Sequence, residues 1–226
     1  MQLKMKDVTE LLDAPEPVVL KYIREKGLPA QKINHQYNFN KEELKEWVIK
    51  NGMAVSEKFL GLSLIKTPVS IFSLVSKGGI INNVEGRTPG EILTYAVAKM
   101  NIPDGLKKED VLMSLIEREE LMPTAVGRGV AIPHPRNPII SDIENESVTI
   151  CTLKEPSDYG AVDGKKVHTL FIVMSANSRR HLEILSKLLF LCQQEALVAM
   201  LGDKRPPDEI LSYIEARENE IKGRKI

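Results

Sequence analysis

Cysteine is scarce in this chain, charge of either sign is not in excess, and no apolar run is long enough to cross a bilayer. Two cysteines in 226 residues, Cys151 and Cys192, cannot build a disulfide framework, and each lies in an apolar stretch where Cys behaves as a small buried hydrophobe. This excludes a disulfide-stapled secreted fold and points to a reducing, intracellular setting. With 31 Lys+Arg against 31 Asp+Glu, the formal net charge is zero, so no general field draws the chain to nucleic acid or an acidic membrane. Binding must come from local sites. The longest apolar stretches, Phe59 to Val75 and Val167 to Ala176, are broken by Lys66 or too short to span a membrane. The start, Met1-Gln-Leu-Lys-Met-Lys, lacks the apolar core of a signal peptide. The expectation is a soluble, cytoplasmic protein with no membrane insertion. Only 13 Pro and 14 Gly, with no low-complexity tract, exclude a disordered chain.

What is present changes character near residue 50. Val8, Leu11 and Leu12, then Val19, Leu20, Tyr22 and Ile23, fit the apolar faces of two short helices separated by Asp13-Ala14-Pro15-Glu16-Pro17. Pro17 suits a first helical turn and Gly27 closes the second helix. A polar, hairpin-like stretch follows over Gln31 to Asn40, then a helix start at Asn40-Lys41-Glu42-Glu43 leading to Leu44, Trp47 and Val48. Over residues 2 to 50 this plan resembles the excisionase-like winged helix-turn-helix domains of small DNA-binding proteins. In such domains the start of the second helix carries basic and hydroxyl residues. Here it holds Glu16, Pro17, Val18 and Leu20, and residues 1 to 50 carry nine basic against eight acidic side chains. Lys21, Arg24 and Lys32 are the candidate DNA contacts, or simply a solvated face, and a protein-binding role for the same fold stands beside DNA binding. Paired half-sites would require a homodimer.

The expected division is a first domain over 1–52, a connector over 53–66, in which Phe59, Leu60, Leu62 and Ile65 suggest packing, and a second domain over 67–226. Gly78 to Val84 reads as a turn and strand. Thr88-Pro89-Gly90-Glu91 is a capping box opening a helix to about Met100, and a second helix spans about Lys107 to Glu120. Strands are predicted at Gly129–Ile132, Val148–Leu153 and Leu170–Met174. Helices are predicted at about Ser178–Gln193, Glu195–Leu201 and Pro207–Glu218. Strands flanked by helices make an α/β layered domain.

The four histidines separate by context. His35 in the ribbon and His168 at a strand start read as structural. His134 follows an apolar strand, Gly129-Val130-Ala131-Ile132, on a backbone fixed by Pro133 and Pro135. Gly127 and Gly129 on the approach leave room for another chain or a ligand. His181 sits in the first turn of a helix after Arg179 and Arg180. Helix amides, two guanidinium groups and an imidazole together suit a phosphate. No His-x-x-x-His, Cys-x-x-Cys or Glu-x-x-His pairing involves these residues, so neither a metal nor another cofactor is expected.

In order and spacing, three segments resemble the IIA components of the bacterial phosphoenolpyruvate-dependent phosphotransferase system, in the fructose/mannitol and nitrogen-regulatory group. They are Ile116-Glu117-Arg118-Glu119-Glu120-Leu121, Thr124 through Gly127-x-Gly129-Val130-Ala131-Ile132-Pro133-His134, and His181-Leu182-x-Ile184-Leu185. The resemblance covers residues 67 to 220 and implies a mixed sheet flanked by helices. It also implies that His134 accepts a phosphoryl group from a histidine phosphocarrier protein and hands it to a downstream protein, with His181 and Arg118 lining the same pocket. A neutral imidazole is a competent nucleophile, and such transfer needs mostly positioning and charge stabilisation. Thr124 would orient the histidine or touch a phosphate oxygen. The sequence departs from the family at Pro135, where glycine is usual, at Met122-Pro123 and Ala125, and loosely over Pro156 to Gly164. Three functions are in play: a regulatory phosphoryl carrier, a DNA-binding transcriptional regulator whose IIA-like domain is a sensor or docking module, and an interaction scaffold.

Overall fold

A computed structural model describes residues 2–33, 36–53, 59 and 68–223. His35 and most of the expected connector, including Leu60, Leu62 and Ile65, lie outside the described residues. Phe59 is buried.

The first segment runs β1 (Gln2–Lys4), α1 (Met5–Leu11), α2 (Glu16–Glu25), β2 (Gln31–Ile33), β3 (Gln36–Asn40) and α3 (Lys41–Lys50). Two elements end for local reasons. Asp7 accepts from the Lys4 backbone N–H at 2.7 Å to open α1, and Gly27, at φ +63°, turns the chain out of α2 so that Leu28 N–H reaches the Tyr22 carbonyl at 3.1 Å. The three strands form a sheet in the order β1-β3-β2, both pairings antiparallel. Trp47 of α3 stacks near Tyr22 and donates its indole N–H to the Lys26 carbonyl at 2.7 Å, joining α3 to the end of α2.

The second segment continues with α4 (Ile71–Gly78), β4 (Ile80–Val84), α5 (Pro89–Lys99), α6 (Lys108–Leu121), β5 (Ala125–Gly127) and β6 (Val130–Ala131). A 3-10 turn (Ile143–Asn145) precedes β7 (Ser147–Ser157) and β8 (Val167–Met174). The chain then closes with α7 (Ser178–Cys192), α8 (Glu195–Gly202) and α9 (Pro207–Gly223). The five strands form one mixed sheet in the order β4-β7-β8-β6-β5, with β4–β7 and β6–β8 parallel and β7–β8 and β5–β6 antiparallel. The central strands β7 and β8 are buried on both faces, as continuous apolar runs require. Phe171 and Val173 join the apolar cluster of α4, α7, α8 and α9. Leu170, Ile172 and Met174 point the other way, into the cluster of α5 and α6. This is a mixed α/β fold with a sheet flanked by helices. Among the described residues, no single helix is long and apolar enough to cross a membrane.

The first cluster does not stop at the sheet. It includes Val8, Val19, Leu44, Trp47 and Val48 of the first segment and Phe59, and α3 packs against α7.

Candidate functional site

At the C-terminal end of β6 the chain leaves the sheet still tethered to it. Ile132 N–H donates to the Thr124 carbonyl at 3.0 Å, and Val173 N–H of β8 donates to the Pro133 carbonyl at 2.9 Å. His134 follows at once, with Pro133 and Pro135 buried on either side. Its Nδ1 lies 2.7 Å from the Ile132 carbonyl, and its Nε2 accepts from Arg118 Nε at 3.2 Å. Both contacts assign one tautomer, Nδ1–H with the lone pair at Nε2 turned toward Arg118.

Arg118 comes from the last turn of α6, where its Nη1 also donates to the Met122 carbonyl at 2.7 Å. That second bond fixes the guanidinium plane against the histidine. Glu119, the next residue, accepts from Thr124 N–H at 2.9 Å and from Thr124 Oγ1 at 2.5 Å. A chain of bonds therefore runs from α6 through Glu119, Thr124 and Ile132 to the His134 ring. Thr124 is buried in it, with its hydroxyl directed at Glu119.

His181, in the first turn of α7, brings its ring centroid within 4.8 Å of the His134 ring at an interplanar angle of 55°. Its Nδ1 lies 3.0 Å from Ser175 Oγ. Burial, then the facing His181 and Arg118, push the His134 pKa down to about 3, against a smaller upward pull from the Ile132 carbonyl. Burial and Arg118 push His181 down to about 4. Both rings are neutral at physiological pH. Burial also lowers Arg118, opposed by Glu119. It raises the Glu119 carboxyl, opposed by the Thr124 hydrogen bonds and Arg118.

The structure brings together His134, His181 and Arg118. It separates Arg179 from Arg180: Arg179 is exposed, whereas Arg180 is buried with its Nε 2.5 Å from Glu146. The expected pair of guanidinium groups on one anion site is thus not what the fold builds, because successive helical positions face different ways and 180 faces inward. The room made by the glycines is also taken. A Cβ on Gly129, at φ +80°, would stand 2.4 Å from His168 Cδ2, and one on Gly127 would stand 3.1 Å from an Asp163 carboxylate oxygen. Lys21 and Arg24 are exposed on α2, Lys21 3.8 Å from Glu25, and exposed Lys32 of β2 lies over the Tyr37 ring. Sequence reasoning passed over Glu119, Ser175 and Glu146. Glu119 lies inside the Ile116–Leu121 segment, whereas nothing local marks Ser175 or Glu146.

Residues 73–217 match the family described as the phosphoenolpyruvate-dependent sugar phosphotransferase system, EIIA 2. The chain belongs to this family. As an EIIA 2 protein it carries a phosphoryl-carrier domain, a transferase in the broad sense. The nitrogen regulatory protein of Bradyrhizobium diazoefficiens is 27% identical over 146 residues, covering 64% of this chain and 94% of that one. The mannitol-specific phosphotransferase enzyme IIA component of Bacillus subtilis is 27% identical over 111 residues, covering 49% of this chain and 76% of that one. The fructose-specific EIIABC component of the same organism is 25% identical over 149 residues, which are 65% of this chain and 23% of that longer protein. Among solved structures, nitrogen regulatory protein IIA-Ntr from Neisseria meningitidis superposes with a TM-score of 0.54 at 27% identity, covering 64% of this chain and 98% of that one. The EIIA 2 match leaves the first 72 residues outside it.

Proposed function

We propose that this protein carries a phosphoryl group on Nε2 of His134, received from a histidine phosphocarrier protein and passed to a downstream protein, with a regulatory output. The observation that carries this reading is the aim of the His134 ring. Nδ1–H is engaged by the Ile132 carbonyl, while the Nε2 lone pair faces Arg118 beside a second histidine. In the transfer, the phosphorus–nitrogen bond to the donor imidazole breaks as one to Nε2 forms. The donor ring returns to neutral imidazole, and the His134 ring takes up the positive charge, which the Ile132 carbonyl stabilises through Nδ1–H. Arg118 bonds an oxygen of the phosphoryl group. With Ser175 donating to His181 Nδ1, His181 Nε2–H is free to bond another. Thr124 acts through its bonds to Glu119 and Ile132, and of the two arginines before His181 only Arg179 is exposed to meet an incoming phosphoryl group.

The surroundings of the site favour a protein partner. Leu121 and Met122, 63% and 45% exposed, stand beside Arg118, an apolar rim that a docking protein would cover. Phosphorus and nitrogen NMR of the phosphorylated protein tests the chemistry: the signal belongs on Nε2 of His134, and a signal on Nδ1 or on His181 would defeat the assignment.

A second reading is supported by the first segment, which we read as a winged helix-turn-helix unit over 1–52 joined by 53–66 to the carrier domain over 67–226. In it the chain is a DNA-binding regulator, working as a homodimer on paired half-sites through Lys21, Arg24 and Lys32, with the EIIA 2 domain as its sensor. Duplex affinity would then fall steeply with salt, while phosphoryl acceptance would not.

A further inference from the structure

Glu146 is fully buried, with 0% exposure, between the 3-10 turn and the start of β7. One of its two oxygens reaches the loop that links β8 to α7, accepting from Ala176 N–H at 2.9 Å, and the other reaches the first turn of α7, accepting from Arg180 Nε at 2.5 Å. Arg180 is itself locked to the same turn, its N–H donating to Asn177 Oδ1 at 3.0 Å, and His181 N–H donates to the Asn177 carbonyl at 2.9 Å. Within this turn Ser175 Oγ meets His181 Nδ1. A buried ion pair is a poor way to add stability, since its desolvation cost rivals its attraction. What it supplies, and apolar packing does not, is direction. We infer that Glu146, through Arg180 and Ala176, is a positioning residue that sets the register between Ser175 and the first turn of α7, and so fixes the tautomer and aim of His181 toward His134.

The alternative is that the pair only closes the core. The effect on transfer, with and without the His181 imidazole, separates the two. A carboxylate needed only for packing affects folding equally whether or not residue 181 is a histidine, whereas one that aims the imidazole loses its effect on transfer when the imidazole is gone. The inference rests on the carrier reading for its rate prediction, but the state of the His181 ring can be read without any phosphoryl group.

The test uses the full chain with Glu146→Gln and, as a second variant that keeps the charge but loses the Nε geometry, Arg180→Lys, each in the wild-type and His181→Ala backgrounds. In the unphosphorylated proteins, nitrogen NMR of the His181 ring should show one neutral tautomer in the wild type and a mixture in either variant. Phosphoryl acceptance from a phosphorylated carrier should slow about 10- to 100-fold in the variants and show no further loss in the His181→Ala background. An unchanged His181 ring signal, or equal losses in both backgrounds, overturns the inference. If the wild type takes no phosphoryl group at all, the carrier reading fails, and the His181 ring signal alone decides the role of Glu146.

Discussion

A histidine that is to take up a phosphoryl group has to be neutral as well as aimed, and at His134 burial provides the first while the Ile132 carbonyl and Arg118 provide the second. The folded pKa values, about 3 for His134 and about 4 for His181, lie below the ordinary 6.5. The native protein therefore resists protonation that the unfolded chain accepts. Stability should be unaffected above the ordinary value and fall as pH drops below it toward 4, with a slope approaching roughly two protons from this pair, readable from urea midpoints against pH. Over the same range the rings should remain neutral in the native state. A ring titrating near 6.5 by NMR would contradict the burial argument. Arg118→Lys should slow phosphoryl acceptance about 100-fold, since one ammonium cannot hold both the Met122 carbonyl and the phosphoryl oxygen; transfer at the wild-type rate would remove Arg118 from the chemistry. At this scale the resemblance of three sequence segments to a known family implied that His134, His181 and Arg118 share a pocket, and the fold brings the three side chains together. The sequence could not show which of two adjacent arginines turns inward, because that depends on a carboxylate 34 residues away.

Helix α4 illustrates how an element can depend on a distant one. Its N-terminus is capped by its own Ser70, whose hydroxyl accepts from Ser73 N–H, and also by Glu218 of α9, which accepts from Ile71 N–H at 2.7 Å, Phe72 N–H at 3.2 Å and Ser70 Oγ at 2.8 Å. A carboxylate on the exposed amides of a first turn is favoured by both hydrogen bonding and the helix dipole. Glu218→Ala should cost about 2–3 kcal/mol, measured by denaturant unfolding; a loss within experimental error would show that Ser70 suffices. Elements with local signals were legible. Thr88 accepts from Glu91 N–H at 3.3 Å as the capping box predicts, and α5 begins at Pro89. By contrast α4 has no clear signal in the sequence, since Ile71, Leu74 and Val75 merge into a longer apolar run and the carboxylate that caps its Ile71 N–H is 147 residues away. Strands β1 and β5, three residues each, are too short to show alternation, and only pairing with β3 and β6 defines them.

Across the whole molecule, α7 serves two neighbours. Its first turn carries His181 in the site, and its body packs against α3 in a core that runs without a break into the first segment. A phosphoryl dianion placed beside His181 acts on the end of the same helix that supports α3. Hydrogen exchange in α3 and α7 should therefore differ between the phosphorylated and unphosphorylated protein, and identical exchange in both would separate the carrier chemistry from any output through the first segment. All of this depends on one chemical event. The most direct measurement is intact mass after incubation with phosphoenolpyruvate, the general phosphotransferase enzyme and its histidine phosphocarrier, with His134→Ala run alongside. One acid-labile phosphoryl group on the wild type and none on the variant is the predicted result; no phosphoryl group on the wild type, or the same one on both, would contradict the account.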